Sequence, residues 1–222
     1  MVSGQVLLDQ QSYWNDYYRS GAVPELPSQF ALFVANELAT GALPPVAAIL
    51  DIGCGNGRDS VFFANLGHAV GGLDRSEDAV AACAQRLAAM PRAQSGKVPF
   101  RAGCAESGAI EALADEFSGP LLVYSRFFFH AVDDQAEARI LARIGKVLTQ
   151  RGGMLAAEFR SLRDAEGRRE TEAHYRRYVD PAAFAARLAD CGLHIAWQAE
   201  GRGMAKYRGD DAHVARIVAQ PW

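Results

Sequence analysis

Residues 49–59 read Ile-Leu-Asp-Ile-Gly-Cys-Gly-Asn-Gly-Arg-Asp, and this stretch decides the fold. Its first residues belong to an apolar run between Pro44-Pro45 and the glycines, which is typical of a strand buried on both faces. The three alternating glycines can adopt positive φ angles and let a ligand approach the backbone closely. A helical pattern follows and stops at Gly67, so the stretch predicts a strand, a cofactor-binding loop and a helix N-terminus in that order.

Two carboxylates indicate which cofactor this loop would hold. The next predicted strand, 68–73, ends in Asp74, where a carboxylate can accept both ribose hydroxyls of an adenosine. The dinucleotide pattern G-x-G-x-x-G fails, because the third residue after Gly55 is Arg58. Asp51, ahead of the glycines, fits poorly beside a pyrophosphate and well beside an ammonium or a sulfonium.

An acid before the loop, the G-x-G-x-G pattern and a second acid after the next strand together resemble the S-adenosylmethionine site of class I methyltransferases. The resemblance implies an α/β fold with a doubly wound, mostly parallel seven-stranded sheet and an N-terminal helical cap. It implies one methyltransferase domain over residues 1–222, with a cap or lid at 1–45 and the cofactor-binding sheet at 46–222. A substrate lid is expected near 160–180.

Alternating strand and helix patterns along the chain agree with a parallel sheet covered by helices on both faces. Further strands are predicted at 99–102, 121–124, 154–159, 193–198 and 213–218, the last of them antiparallel. Helices are predicted at 76–90, 133–149 and 181–191, beside a helical cap at 5–38. Asp180 would cap the helix that begins at Pro181.

Composition excludes several other classes of protein. At 222 residues and 50% hydrophobic, the chain suits one domain with a sizeable core. A net charge of −3 argues against nucleic acid as a partner. No apolar run reaches membrane-spanning length, no signal peptide is evident, and four cysteines without C-x-x-C spacing favour reduced thiols in a cytoplasm. The expected partner is a small-molecule substrate, with the oligomeric state left open.

The resemblance implies S-adenosyl-L-methionine as cofactor and S-adenosyl-L-homocysteine as product. Asp51 would act on the methionine end, directly or through water, and Asp74 on the ribose. Many relatives place an acid after the third strand against adenine, where this chain leaves that edge to the backbone of Cys104 and Ala105 or to Glu106. The other expected cofactor-binding residues are Gly53, Cys54, Gly55, Gly57, Arg58, Arg75, Tyr124 and Ser125. Ser76 is expected to cap the next helix, and Asp59 suits a helix N-terminus.

The exit of the fourth strand reads Tyr-Ser-Arg-Phe-Phe-Phe-His over residues 124–130. It lacks the Asn/Asp-Pro-Pro motif of base and glutamine methyltransferases and resembles small bacterial methyltransferases of metabolites or sugars. Arg126 and His130 are expected at the substrate, in catalytic or binding roles. Alternatively, His130 packs at the start of the next helix and bonds a backbone carbonyl. Asp133-Asp134 suits helix capping, and no metal is expected.

Two further segments supply candidate contacts. Tyr13, Trp14 and Tyr18 are expected to close over the sulfonium as an aromatic lid, unless they serve as ordinary core. After the fifth strand, an Arg-rich segment would bind a polar or anionic substrate, unless its charges pair with Glu166, Glu170 and Glu172 in a solvated connection. The candidate substrate-binding residues there are Arg160, Arg163, His174, Tyr175 and Tyr178. His174 and Tyr175 are also candidate catalytic residues that polarise a nucleophile.

The predicted function is methyl transfer by in-line displacement to an oxygen or nitrogen atom of a small polar or anionic metabolite or sugar. A soft acceptor (sulfur, selenium or tellurium), as in thiopurine- and tellurite-type detoxifying enzymes, remains an alternative. So does a non-catalytic S-adenosylmethionine-binding protein. A nicotinamide-dependent oxidoreductase would use the same sheet but leaves Asp51 unexplained.

Overall fold

The computed structural model describes residues 26–89, 99–165, 177–207 and 209–222. The described strands are β1 (Ala48–Ile52), β2 (Val70–Asp74), β3 (Phe100–Ala102), β4 (Leu121–Arg126), β5 (Gly153–Arg160), β6 (Leu193–Gly201), β7 (Lys206–Tyr207), β8 (Asp210–Asp211) and β9 (Val214–Pro221). The described α-helices are α1 (Gln29–Thr40), α2 (Arg58–Asn65), α3 (Glu77–Ala88), α4 (Ala109–Ala114), α5 (Asp134–Arg151) and α6 (Pro181–Asp190).

The main sheet has seven strands in the order β3-β2-β1-β4-β5-β9-β6. Strand β9 runs antiparallel to both of its neighbours, while the remaining pairings are parallel. The predicted doubly wound, mostly parallel sheet with an antiparallel last strand is therefore confirmed. The strands near the site are longer than predicted, since β4 continues to Arg126 and β5 to Arg160. The short antiparallel ribbon β7–β8 is an addition that the sequence reasoning missed.

Helices cover both faces of this sheet because each carries one apolar side. Helix α5 buries Ile140, Ile144 and Leu148 against one face, and α1 buries Phe30 and Val34 against the other. The predicted caps are confirmed, because backbone N–H groups in the first helical turns donate hydrogen bonds to the side chains of Ser76, Asp133 and Asp180. No helix in the described part of the chain is long and apolar enough to cross a membrane.

The sheet topology places the functional edge. The order reverses between β1 and β4, and ligands of doubly wound sheets bind at this switch point, beyond the carboxyl ends of the strands. The glycine loop after β1, Asp74 at the end of β2 and Arg126 at the end of β4 all lie along this edge. The candidate site is therefore built on strand ends that the buried sheet holds rigidly.

Candidate cofactor and acceptor site

The glycine loop has the backbone geometry that its sequence predicts. Gly53, Gly55 and Gly57 have φ angles of 77°, 54° and 74°. A Cβ added at Gly53 would lie 2.7 Å from a ring carbon of Phe128, and one at Gly57 would lie 2.7 Å from Cys83 Sγ. The loop is thus packed against neighbouring side chains in a conformation that residues with a Cβ rarely adopt.

Asp74 ties the glycine loop to the end of β2. Its Oδ2 accepts a 2.9 Å hydrogen bond from the Gly55 N–H, and its Oδ1 accepts one of 2.9 Å from the Ser76 N–H. Burial raises the pKa of Asp74, and the backbone N–H bonds oppose that rise. A carboxylate offers about four acceptor positions, so these backbone bonds do not exhaust the capacity of Asp74 to accept from a ribose.

Asp51 is buried below the loop and is 2% exposed. The Ser60 hydroxyl donates a 2.6 Å hydrogen bond to its Oδ2. Burial, together with the nearby carboxylates of Asp59 and Asp74, raises the pKa of Asp51 from its ordinary 3.8 to about 8. A cation brought to this carboxyl would favour its ionised form, which is the chemistry that the ammonium of a methionine group supplies.

Tyr124 and Ser125 were predicted to line the cofactor, but in the structure their side chains contact other parts of the protein. Both side chains are fully buried by protein. The Tyr124 hydroxyl donates to Asp59 Oδ2 at 2.8 Å, and the Ser125 hydroxyl donates to the Ile52 carbonyl at 3.1 Å. Both residues therefore brace the cofactor loop from behind.

Asp59 connects helix α1 to the glycine loop. Besides Tyr124, it accepts hydrogen bonds of 2.7 Å from both the N–H and the hydroxyl of Ser28, the residue that caps α1. Arg58 Nε lies 3.6 Å from Asp59 Oδ1, the oxygen that also accepts from the Ser28 N–H. The sequence predicted Asp59 only as a favourable helix-terminal charge, since nothing local indicates a partner 31 residues earlier.

The turn after β3, predicted at the adenine edge, is held by ion pairs. Arg75 Nη2 lies 3.2 Å from Cys104 Sγ and 3.4 Å from Glu106 Oε1. Arg139 donates hydrogen bonds to Glu106 Oε2 from its Nε at 2.9 Å and from its Nη2 at 2.6 Å. Glu106 is therefore occupied by two guanidinium groups, while Ala105 is buried in the core. Cys54, in the glycine loop, is also buried, with its Sγ 4.0 Å from Cys83 Sγ.

A charged row crosses three neighbouring strands at the end of β4. Arg126 pairs in register with Glu158 on β5, and Glu158 pairs in register with Arg216 on β9. Arg126 Nε donates to Glu158 Oε1 at 2.9 Å, and Arg216 Nε donates to Glu158 Oε2 at 2.8 Å. The side chain of Glu158 is 0% exposed, so one buried carboxylate serves two guanidinium groups.

Phe127 follows Arg126 with a φ of 56°, the only non-glycine residue with positive φ in the described chain. Its ring lies 4.1 Å below the Arg126 guanidinium and 5.0 Å from the ring of His130. The reversal sends Phe128 over Gly53, while Phe129 lies in the core. Strain of this kind is concentrated at functional sites.

His130 is 3% exposed, in a 3-10 turn, and its Nδ1 accepts a 3.3 Å hydrogen bond from the Arg160 N–H. This arrangement resembles the alternative of a packed histidine, although the partner is a backbone N–H and not a carbonyl.

The arginines after β5 have structural partners. Arg160 is 5% exposed and bonds Asp164 at 2.5 Å as well as Asp210. Arg163 is exposed and lines an open groove of about 690 Å³ between α6 and β6. The β6 wall of that groove lies four strand spacings from β1, roughly 19 Å across the sheet, and Arg163 Nη1 lies 3.8 Å from Glu200 Oε2 on β6. Tyr178 lies at the described end of the segment, next to Val179, whose bridge to Ser161 joins the two described ends.

The remaining predicted site residues, Tyr13, Trp14, Tyr18, His174 and Tyr175, lie outside the described residues. Their roles stay predictions. Among the residues that are described, no group of three or more His, Cys, Asp or Glu side chains is arranged to hold a metal ion.

The sequence reasoning missed Ser28 and Arg216 as parts of this edge, and it grouped Glu158 with the charges after β5 without identifying its partners. A signal was present for two of them, because Glu158 and Arg216 are single charges within otherwise apolar strand runs. A charge buried inside a strand needs a partner, which makes a cross-strand ion pair the expected explanation.

Comparisons with known proteins agree with this geometry. Residues 49–152 match the model of a family described as a methyltransferase domain. No curated protein sequence is significantly similar to the chain.

Three solved structures illustrate the likeness. The magnesium protoporphyrin IX methyltransferase of Synechocystis, with bound S-adenosylmethionine, is 18% identical with a TM-score of 0.62, over 86% of this chain and 78% of that one. A glycopeptide N-methyltransferase complexed with S-adenosylmethionine is 18% identical with a TM-score of 0.64, over 88% and 95%. A Methanosarcina mazei protein described as an S-adenosylmethionine-dependent methyltransferase is 20% identical with a TM-score of 0.63, over 82% and 96%. At these identities the likeness establishes a shared fold.

Proposed function

We propose that this chain, whose residues 49–152 match the model of a methyltransferase domain, transfers a methyl group from S-adenosylmethionine to an oxygen or nitrogen atom of a small polar metabolite or sugar. The observation that carries the proposal is the clamp of Asp74 on the Gly55 N–H at 2.9 Å, which fixes the loop and the ribose acceptor together.

The donor set fits this cofactor. Asp74 keeps acceptor positions for a ribose diol, and Asp51 is a buried carboxyl whose ionised form needs a cation. S-adenosylmethionine carries both a ribose and an ammonium group. Structural neighbours with bound S-adenosylmethionine and with bound S-adenosylhomocysteine support the same cofactor.

The chain's own contribution to methyl transfer is alignment. When bound, S-adenosylmethionine supplies a methyl group activated on a sulfonium, and the acceptor's lone pair forms the new bond as the carbon–sulfur bond breaks. The glycine loop and Asp74 would hold the cofactor, and Arg126 lies at the end of the neighbouring strand β4. Holding two reactants in line near contact distance removes much of the barrier of such a displacement.

Catalysis of this kind needs a general base only when the acceptor arrives protonated. His130 is one of the predicted candidates, and its buried Nδ1 accepts a hydrogen bond from the Arg160 backbone N–H. In the neutral ring Nε2 then carries the proton, so His130 in this arrangement is a hydrogen-bond donor at Nε2 and not a general base.

A transfer assay tests the proposal. Protein incubated with S-adenosylmethionine labelled in its methyl group and a panel of small hydroxy- and amino-compounds should release S-adenosylhomocysteine and label one acceptor class. Label transfer to a thiol, selenide or tellurite alone would replace the proposed acceptor with a soft one. Absence of transfer to every class would contradict the proposal.

A further inference from the structure

We propose that Arg126 is the anchor for a carboxylate on the methyl acceptor, so that the substrate is a small carboxylic acid carrying the nucleophilic atom. This inference rests on the proposed function and deepens it. Arg126 lies at the carboxyl end of β4, next to the switch point and the glycine loop. A group held there would be adjacent to the cofactor.

The guanidinium of Arg126 has one edge occupied and one edge available. Its Nε is held by Glu158 at 2.9 Å, and within the described part of the chain neither Nη atom has a hydrogen-bond partner. Its side chain is 17% exposed. Two parallel N–H groups on a fixed guanidinium match the two oxygens of a carboxylate.

The surrounding charges favour an anion at this position. Arg126 and Arg216 share the single carboxylate of Glu158, whose side chain is fully buried. The nearby Asp59 is already paired with Arg58 at 3.6 Å. Two partly buried cations that share one counter-charge are incompletely neutralised, and an acceptor carboxylate would supply a second negative charge.

Phe127 fixes where the available edge points. Its ring lies 4.1 Å from the Arg126 guanidinium carbon, and its backbone φ of 56° directs the ring under that group. The ring and Glu158 together hold the guanidinium in one orientation. A preoriented fork binds a planar anion with little loss of side-chain entropy.

The arginines predicted from the segment after β5 do not offer the same opportunity. Arg160 is held by two carboxylates, those of Asp164 and Asp210. Arg163 lines the groove between α6 and β6, where its Nη1 lies 3.8 Å from Glu200 Oε2. Among these three arginines, Arg126 alone combines an open edge with a position at the switch point.

The test is a calorimetric titration of protein saturated with S-adenosylhomocysteine. The probes are acetate, benzoate and 2-hydroxybenzoate, each beside its amide, with inorganic phosphate as a second anion. We expect at least one carboxylate to bind about tenfold or more tightly than its amide, as charge-assisted hydrogen bonds require. In Arg126→Gln that preference should disappear, and Arg126→Lys should keep only part of it.

Arg101→Gln serves as the matched control, because it removes an exposed guanidinium on the outer strand β3 that pairs with Glu116. The Arg126→Gln variant should fold, since Glu158 keeps Arg216 as its partner. No carboxylate preference in the wild type, tighter binding of phosphate, or a preference that survives Arg126→Gln would each overturn the proposal.

The affinity for S-adenosylhomocysteine distinguishes failure of the Arg126 inference from failure of the proposed function. Weakening of that affinity more than about threefold in Arg126→Gln would assign the guanidinium to the cofactor and overturn the inference. Failure of the wild type to bind S-adenosylhomocysteine would overturn the proposed function as well.

Discussion

The Tyr124 hydroxyl donates a 2.8 Å hydrogen bond to Asp59, so a residue on β4 holds the first turn of the helix that follows the glycine loop. Ser28 binds the same carboxylate from the start of α1. Three elements distant in sequence thus meet at one buried acid. The geometry of the loop depends on this acid as well as on its glycines.

Removal of that hydroxyl should loosen the junction. Tyr124→Phe deletes a buried hydrogen bond to a carboxylate, which is expected to lower the free energy of unfolding by about 1.5–3 kcal/mol. Urea unfolding measures the change. Thr40→Val is the control, because its exposed hydroxyl bonds only backbone carbonyls of its own helix. Equal losses of stability in the two variants would contradict a specific contribution of the Tyr124–Asp59 hydrogen bond.

Stability should fall with rising pH because of Asp51. The folded protein releases this proton near pH 8, whereas the unfolded chain releases it near its ordinary value of 3.8. Between those values the unfolded state binds fewer protons, so increasing pH favours unfolding. In Asp51→Asn this loss is absent. Between pH 5 and pH 8.5 the free energy of unfolding of the variant should therefore rise relative to that of the wild type by an amount on the order of a few kcal/mol.

Urea unfolding at pH 5 and pH 8.5 measures this difference. Asp115→Asn is the control, since that side chain is 80% exposed and meets water in both states. A wild type whose stability does not fall relative to Asp51→Asn over this range would refute the assignment.

The glycine at position 57 should be needed for space as well as for its backbone angle. Gly57 and Gly41 have similar φ angles, of 74° and 76°. A Cβ added at Gly57 would lie 2.7 Å from Cys83 Sγ, whereas a Cβ added at Gly41 would have no neighbour within 4 Å. Gly41→Ala should cost about 1–2 kcal/mol of backbone strain. Gly57→Ala should cost a further 1–3 kcal/mol, roughly the effect of overpacking. Thermal unfolding of both variants compares them, and equal losses would exclude the packing term.

The charged row of Arg126, Glu158 and Arg216 should lose more stability when its carboxylate is removed than when one arginine is removed. Glu158→Gln leaves Arg126 and Arg216 without a counter-charge and is expected to destabilise the protein by about 3–5 kcal/mol. Arg126→Gln leaves a complete pair between Glu158 and Arg216, so its effect should be clearly smaller. Urea unfolding of the two variants decides the order. A larger loss in Arg126→Gln would contradict the sharing of one carboxylate.

Local chemistry explains which features the sequence predicted. The glycine loop, the position of Asp74 and the caps Ser76 and Asp133 depend on neighbours a few residues away, and the structure contains each as expected. The alternation of strands and helices likewise predicted the seven-stranded sheet.

The charge partners could not be predicted in the same way. Glu158 meets Arg216 only because β5 and β9 pair in a particular register, and Arg160 meets Asp210 across 50 residues of sequence. The positive φ of Phe127 also arises from this packing, since phenylalanine has no local preference for it. The ribbon β7–β8 has strands of two residues, too short for a sequence pattern.

The central claim is an S-adenosylmethionine site organised by Asp74. Calorimetric titration with S-adenosylhomocysteine tests it most directly, with a nicotinamide dinucleotide as the competing ligand and Glu77→Ala, an exposed acid three residues away, as the control variant. We predict saturable binding of S-adenosylhomocysteine alone, weakened by roughly 1.5–3 kcal/mol in Asp74→Ala and unchanged in Glu77→Ala. Binding of the dinucleotide instead, or an unchanged S-adenosylhomocysteine affinity in a folded Asp74→Ala protein, would contradict the account.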